Sequence, residues 1–274
     1  MATVVSMINM KGGVGKTTLT FNLAWYCAWK MRLRVLAIDL DPQANLSQYF
    51  MGAERYLGHI QNKGYTVVDI FHTPILSVAG KCIYDVSYCY NITLDIVASR
   101  LELAWNLIDP KCKIEEILPQ FLSAINHHYD LIIIDCAPTE SILTIAAYKS
   151  SRYVIVPVKP EFLAAIGLPL LAKSLNNYCS KNKNQKLEIA GIIFNDQNKD
   201  MYMSPEEISS CRSVRNIAEN YGWKVFENKV YTSRFFPRGS RERQPIFNTS
   251  GVYTTVKDNF DKVAEEFLKA VKLR

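Results

Sequence analysis

The sequence contains no apolar run long enough to cross a bilayer. It has no Cys-x-x-Cys pair, and its seven cysteines and four histidines fall at no spacing that suits zinc. An odd number of scattered thiols reads as free cysteines in a reducing compartment, not as a disulfide framework. Internal repeats, low-complexity runs and linkers rich in Pro, Gly or Ser are also missing, which argues against a tandem organisation. One domain is therefore expected over residues 1–274. The apolar stretch 3–9 is too short for a signal peptide and lacks its basic flank, so a cytosolic location is expected. The net charge of +6 is mildly basic. It is compatible with nucleic acid or an anionic membrane as partner and selects neither.

What is present is alternation. Runs rich in Val, Ile and Leu at 3–9, 34–39, 92–97, 131–135, 153–157 and 187–194 read as strands covered on both faces. Helical patterns lie between them, near 16–30, 101–108, 113–127, 163–179 and 205–221. This order predicts an α/β fold, a mostly parallel twisted sheet flanked by helices on both faces. The stretch 52–90 is rich in Tyr, Gly and His and predicts a short helix at 66–72 followed by an irregular excursion. Near the C-terminus, about 253–272, Phe260, Val263, Ala264, Phe267, Leu268 and Val271 share one helical face. Asp258, Asp261, Glu265 and Glu266 would repel anionic lipid, so this helix is expected to dock on the sheet and not on a membrane.

The first strand runs into Lys11-Gly12-Gly13-Val14-Gly15-Lys16-Thr17-Thr18, followed by a helical pattern. Glycines at 12, 13 and 15 permit close backbone approach, so the loop N–H groups can converge on a polyphosphate at a helix N-terminus. Lys16 is placed to reach the β- and γ-phosphates of ATP, and the Thr17 hydroxyl to ligate Mg²⁺. Met10 stands where the ordinary phosphate-loop pattern has its first glycine, so the loop is a variant. Asp135 closes the apolar run 131–135 and is the acid expected opposite the loop at the metal. Asp39 and Asp41 end the second strand. In a parallel sheet they should sit at the same ligand-binding edge, to help hold the metal or orient the attacking water.

Together these motifs resemble the ParA/MinD family of deviant Walker ATPases. The lysine that opens the loop, here Lys11, is that family's mark. Asp39-Leu40-Asp41-Pro42-Gln43-Ala44-Asn45 is similar to the ParA branch's second motif, and 133–138 to its Walker B strand. A further similarity runs from Val156 through Glu161 to Leu168. The resemblance implies an ATP-sandwich homodimer with slow, partner-stimulated hydrolysis. In it Lys11 reaches the partner's ATP as a catalytic group, Asp41 orients the lytic water, and Thr17, Asp135 and Asp39 serve Mg²⁺.

The ParA branch binds non-specific DNA through basic residues of the C-terminal third. Here the basic portion is about 224–243, and Arg234, Arg238, Arg241 and Arg243 are the candidates. A Pro-Arg-Asn segment that contacts the base in many relatives is replaced by Tyr231-Thr232-Ser233-Arg234. The reading implies a cytoplasmic, nucleoid-associated protein that partitions a plasmid or chromosome, or positions a protein cargo. A ParB-like or cargo-adaptor protein would stimulate it. The alternative is a MinD-like membrane-surface ATPase. A cluster-carrying iron-protein reading would need paired cysteines, and the sequence around Cys112 and Cys136 does not match it.

Overall fold

A computed structural model describes residues 1–87, 91–106, 113–161, 164–183 and 185–274. Strand β1 is Thr3–Met7, β2 Val35–Leu40, β3 Ile83–Asp85, β4 Leu94–Val97, β5 Leu131–Cys136, β6 Tyr153–Val158 and β7 Glu188–Phe194. They form a 7-stranded sheet in the order β3-β4-β2-β5-β1-β6-β7. Every pairing is parallel except that of β3 with β4.

Alternation along these strands makes the layers, because successive side chains point to opposite faces. Leu36, Ile38, Ile132, Ile134, Val154 and Val156 enter one core. Val35, Ala37, Leu131, Ile133 and Ile155 enter the other. β2, β5 and β6 are buried along their whole length, and their runs read as almost continuously apolar. The first core is closed by helices Val67–His72, Ile114–Ile125, Ile142–Ser150, Ala164–Lys181 and Pro205–Asn220. The second is closed by Lys16–Trp29, Asn45–Met51 and Thr254–Ala270. Phe121 and Phe260, one in each core, are fully buried, and each such burial stabilises the fold by roughly 1.5–3 kcal/mol.

The apolar face of Thr254–Ala270 is covered, since Phe260, Val263, Ala264, Phe267 and Leu268 have no exposed surface. Glu266 fastens this helix to the segment before it. Its carboxylate accepts the Glu227 and Asn228 N–H groups at 3.0 Å and the Asn228 side-chain amide at 2.9 Å. That segment also lines the outer edge of β7: Ile192 N–H donates to the Lys224 carbonyl at 2.8 Å, and Val230 N–H to the Phe194 carbonyl at 2.9 Å.

The structure departs from the sequence expectation mainly in 52–90. A helix does begin at Thr66, as Val67–His72, through a reciprocal cap with Asp69. The region before it is the helix Ala53–Gln61. After it come the short helix Ile75–Val78 and β3, an antiparallel edge strand in place of an irregular excursion. The segment 235–242 is helical despite Pro237 and Gly239, residues of poor helix propensity. Pro237 falls in its first turn, where no helical N–H is lost. Ile142–Ser150 escaped a periodicity reading because apolar residues surround it. The helix expected at 101–108 is seen as Leu103–Asn106, with a turn at 101–102 before it, and 107–108 lie outside the described residues.

Candidate phosphate-binding site

β1 leads into the loop, and Gly15 ends it as the N-cap of Lys16–Trp29. Gly13 (φ 74°) and Gly15 (φ 88°) occupy the left-handed region that side chains disfavour. The two differ in what surrounds them. A Cβ on Gly15 would lie 2.0 Å from Asn195 Nδ2, and that amide donates to the Val14 carbonyl at 2.9 Å. Asn195 thus clamps the loop from the end of β7. A Cβ on Gly13 would meet nothing within 4 Å. The space beside Gly13 is open, and the loop ends at a helix N-terminus, an environment that favours anions. Lys16 is buried, and its Nζ donates to the carbonyls of Asn9 (3.1 Å) and Lys11 (3.0 Å). Burial lowers the pKa of its ammonium, against the pull of Asp135.

Below the loop, Thr17 Oγ1 donates to Asp135 Oδ2 at 2.6 Å. Asp135 and Asp39 are Cα partners on β5 and β2, and both are buried. Burial pushes the Asp39 carboxyl up to about 7. It raises Asp135 too, with the charge of Asp39 adding to the effect and Thr17 and Lys16 opposing it. A hydroxyl and a carboxylate together are the hard oxygen donors that Mg²⁺ takes, and a cation there would favour the ionised acid. Asp39 is turned elsewhere. Its Oδ2 accepts the N–H (2.8 Å) and hydroxyl (2.7 Å) of Ser47, and its Oδ1 accepts the Asp41 N–H at 3.2 Å. Asp41 is half-buried at the same edge and accepts the Gln43 N–H at 2.9 Å.

Lys11 extends from the other side of the loop to Glu161, with Nζ 2.5 Å from Oε2. Glu161 also pairs with Lys159 at 3.0 Å, and Lys159 with Asp196 at 2.9 Å. Lys11, then Lys159, hold the Glu161 carboxyl below the usual range. A cavity of about 170 Å³ opens beside the loop, lined by Gly13, Gly15, Thr18, Asn195, Tyr231 and Ser233 among others.

The four arginines gather on or beside Phe235–Glu242. Arg234 stacks over the Phe235 ring at 5.4 Å, and Arg238 pairs with Glu242 at 2.6 Å. Arg234, Arg241 and Arg243 are exposed. Lys224 is drawn away from them to Glu266, at 3.6 Å. Of the cysteines discussed for a cluster, Cys136 is a buried free thiol, and Cys112 lies outside the described residues.

Sequence reasoning missed Asn195 and Ser47. A single Asn after a strand carries no pattern, and its contact with the loop spans 181 positions.

Residues 2–189 match the family described as the AAA domain. The chain is 30% identical to the chromosome-partitioning ATPase Soj of Treponema pallidum, over 84% of this chain and 83% of that protein. It is 29% identical to the sporulation initiation inhibitor protein Soj of Bacillus subtilis, over 88% and 86% respectively. The apo McdA structure from Cyanothece has the same fold, with a TM-score of 0.81 at 18% identity, covering 97% of this chain and 100% of that one. A lysine-led phosphate loop, carboxylates at adjacent strand ends and these relatives converge: the chain belongs to the ParA/Soj/MinD family of P-loop ATPases, among its partition and positioning proteins.

Proposed function

We propose that this chain is an ATP-operated dimerising switch. It binds DNA without reading sequence and hydrolyses ATP to partition a plasmid or chromosome, or to position a protein cargo. The observation that carries the reading is the contact of Thr17 with Asp135, 2.6 Å long, under a loop whose Gly13 faces open space. Thr17 and Asp135 would hold Mg²⁺, and Mg²⁺ when bound offsets charge on the β- and γ-phosphates. The loop N–H groups from Gly12 to Thr18 cradle the phosphates. The Lys16 ammonium exchanges its backbone carbonyl partners for phosphate oxygens. Asp41, half-buried at the mouth, accepts a hydrogen bond from the attacking water and orients it. Lys11 leaves Glu161 and crosses to the second copy's ATP, where it stabilises charge that develops on the transferred phosphoryl group.

Arg234, Arg238, Arg241 and Arg243 would contact DNA phosphates, which gives affinity without sequence preference and associates the protein with the nucleoid. The covered apolar face of Thr254–Ala270 favours DNA over membrane as the surface, since lipid contact would require that helix to undock. A ParB-like or cargo-adaptor protein would set the timing by stimulating hydrolysis.

Light scattering together with DNA-binding titrations tests the reading. With ATP and Mg²⁺ a dimer should form and bind arbitrary duplex DNA, with affinity that falls steeply as salt rises. A monomer under those conditions, or a dimer that binds anionic vesicles and not DNA, would overturn it.

A further inference from the structure

Asp39 ends β2 beside Asp135, with no exposed surface. A metal ligand needs a lone pair aimed at the opening. Asp39 instead accepts three hydrogen bonds from inside the protein, two from Ser47 and one from the Asp41 N–H. These bonds satisfy most of the acceptor sites of a carboxylate. They also answer a local need. The helix Asn45–Met51 begins after Ala44, whose side chain cannot cap, and Ala44 has a left-handed φ of 53°. The Ser47 N–H, an orphan donor of the first turn, is capped by Asp39 from farther up the chain. The negative charge also suits a helix N-terminus. Ser47 carries the connection onward: its Oγ accepts the Ser99 N–H at 2.8 Å, just past β4, and the Tyr56 hydroxyl donates to the Ser99 carbonyl at 3.1 Å.

We infer that Asp39 is a positioning residue and not a metal ligand: it ties the Asp41 backbone, the start of Asn45–Met51 and the end of β4 into one rigid unit, and thereby fixes where the Asp41 carboxylate points. This rests on the proposed role of Asp41 as the group that orients water. In its mechanical part it stands on the hydrogen bonds alone. Asp39 acts through Asp41, so its loss should slow the chemical step and leave nucleotide and metal binding intact.

The test uses Asp39→Ala, Asp39→Asn and Ser47→Ala in the full chain, with two independent readouts. The first is amide hydrogen exchange of the nucleotide-free protein. Asp39→Ala should speed exchange at Asp41 and Ser47 by about tenfold or more. Asp39→Asn keeps one acceptor oxygen and should fall between it and the wild type. The second is steady-state kinetics. In Asp39→Ala kcat should fall by about tenfold or more, while KM for ATP and the half-saturating Mg²⁺ concentration stay within about twofold. Ser47→Ala should show the same split more weakly. A half-saturating Mg²⁺ concentration that rises about tenfold in Asp39→Ala but not in Ser47→Ala would make Asp39 a metal residue and overturn the inference. Unchanged exchange at Asp41 and Ser47 would overturn it as well. If Asp39→Ala does not fold, Asp39→Asn and Ser47→Ala decide by the same criteria. If the wild-type chain hydrolyses no ATP, the proposed function fails, and the exchange readout still decides the tether.

Discussion

The Lys11 ammonium lies 2.5 Å from Oε2 of Glu161 in its own chain, and Lys159 braces the same carboxylate from the other side at 3.0 Å. A lysine that acts on a second copy's nucleotide must first give up this partner. The pair is partly exposed, with side-chain accessibilities of 22% and 45%. Holding it is therefore worth only about 0–1 kcal/mol.

Glu161→Gln should release Lys11 and lower the ATP concentration needed for dimerisation, by up to about fivefold. Lys11→Ala should abolish the ATP-dependent dimer. Light scattering across an ATP titration reads both. Equal midpoints for wild type and Glu161→Gln would mean that the pair does not restrain Lys11.

The loop should tolerate no side chain at its last glycine. A Cβ on Gly15 would lie 2.0 Å from Asn195 Nδ2, at a φ of 88°. Gly15→Ala should destabilise the protein by at least the 1–3 kcal/mol or so of such backbone strain, and weaken ATP binding. Adding Asn195→Ala should relieve the steric part but not the strain. Thermal melts and calorimetric ATP titrations separate the two. An undisturbed Gly15→Ala protein would contradict the clamp.

Binding and hydrolysis should come apart in two variants. Lys16→Ala removes the buried ammonium at the loop and should lose ATP binding. Asp41→Ala should bind ATP and dimerise, yet turn over at least about a hundredfold more slowly, the low end of what a positioned acid or base contributes. Normal turnover in Asp41→Ala would move the water-orienting role to another residue.

The pH dependence of stability should report Glu266. Burial opposes its ionisation, but the N–H groups of Asn228 and Glu227, the Asn228 side chain and Lys224 together hold its carboxyl below the usual value of 4.5. A depressed folded-state value means that its contribution is fully present above the unfolded-state pKa and is lost as pH falls through the folded one. Glu266→Gln should therefore lower Tm at pH 7 through loss of charged hydrogen bonds worth about 1.5–3 kcal/mol each. The gap to wild type should shrink below about pH 4. A gap that stays constant down to pH 3 would rule out the ionised clamp.

The parts of the molecule that were legible in the sequence are those where one physical constraint acts alone. β2, β5 and β6 are buried on both faces, and an uninterrupted run of Val, Ile and Leu has few other readings. The loop from Lys11 to Thr18 was equally plain, because its glycines serve backbone geometry. What could not be read depends on partners far along the chain. β3 is a strand only because β4 offers it an edge. Ser47 looks like an ordinary helix residue until Asp39 and Ser99 meet on its hydroxyl. The pairing of Arg238 with Glu242, one helical turn on, depends on a helix that Pro237 and Gly239 disguise in the sequence.

The segment from Lys224 to Val230 also bears on how copies of this chain can meet. It hydrogen-bonds to Ile192 and Phe194 and covers the second half of the β7 border. The opposite border is β3, only 3 residues long. Short or occupied borders are how natural sheets avoid fusing edge to edge into fibres. Among the described residues, copies brought close together therefore find no long open strand on which the sheet could be extended. Under the proposed reading, association is left to surfaces that a nucleotide would make and unmake.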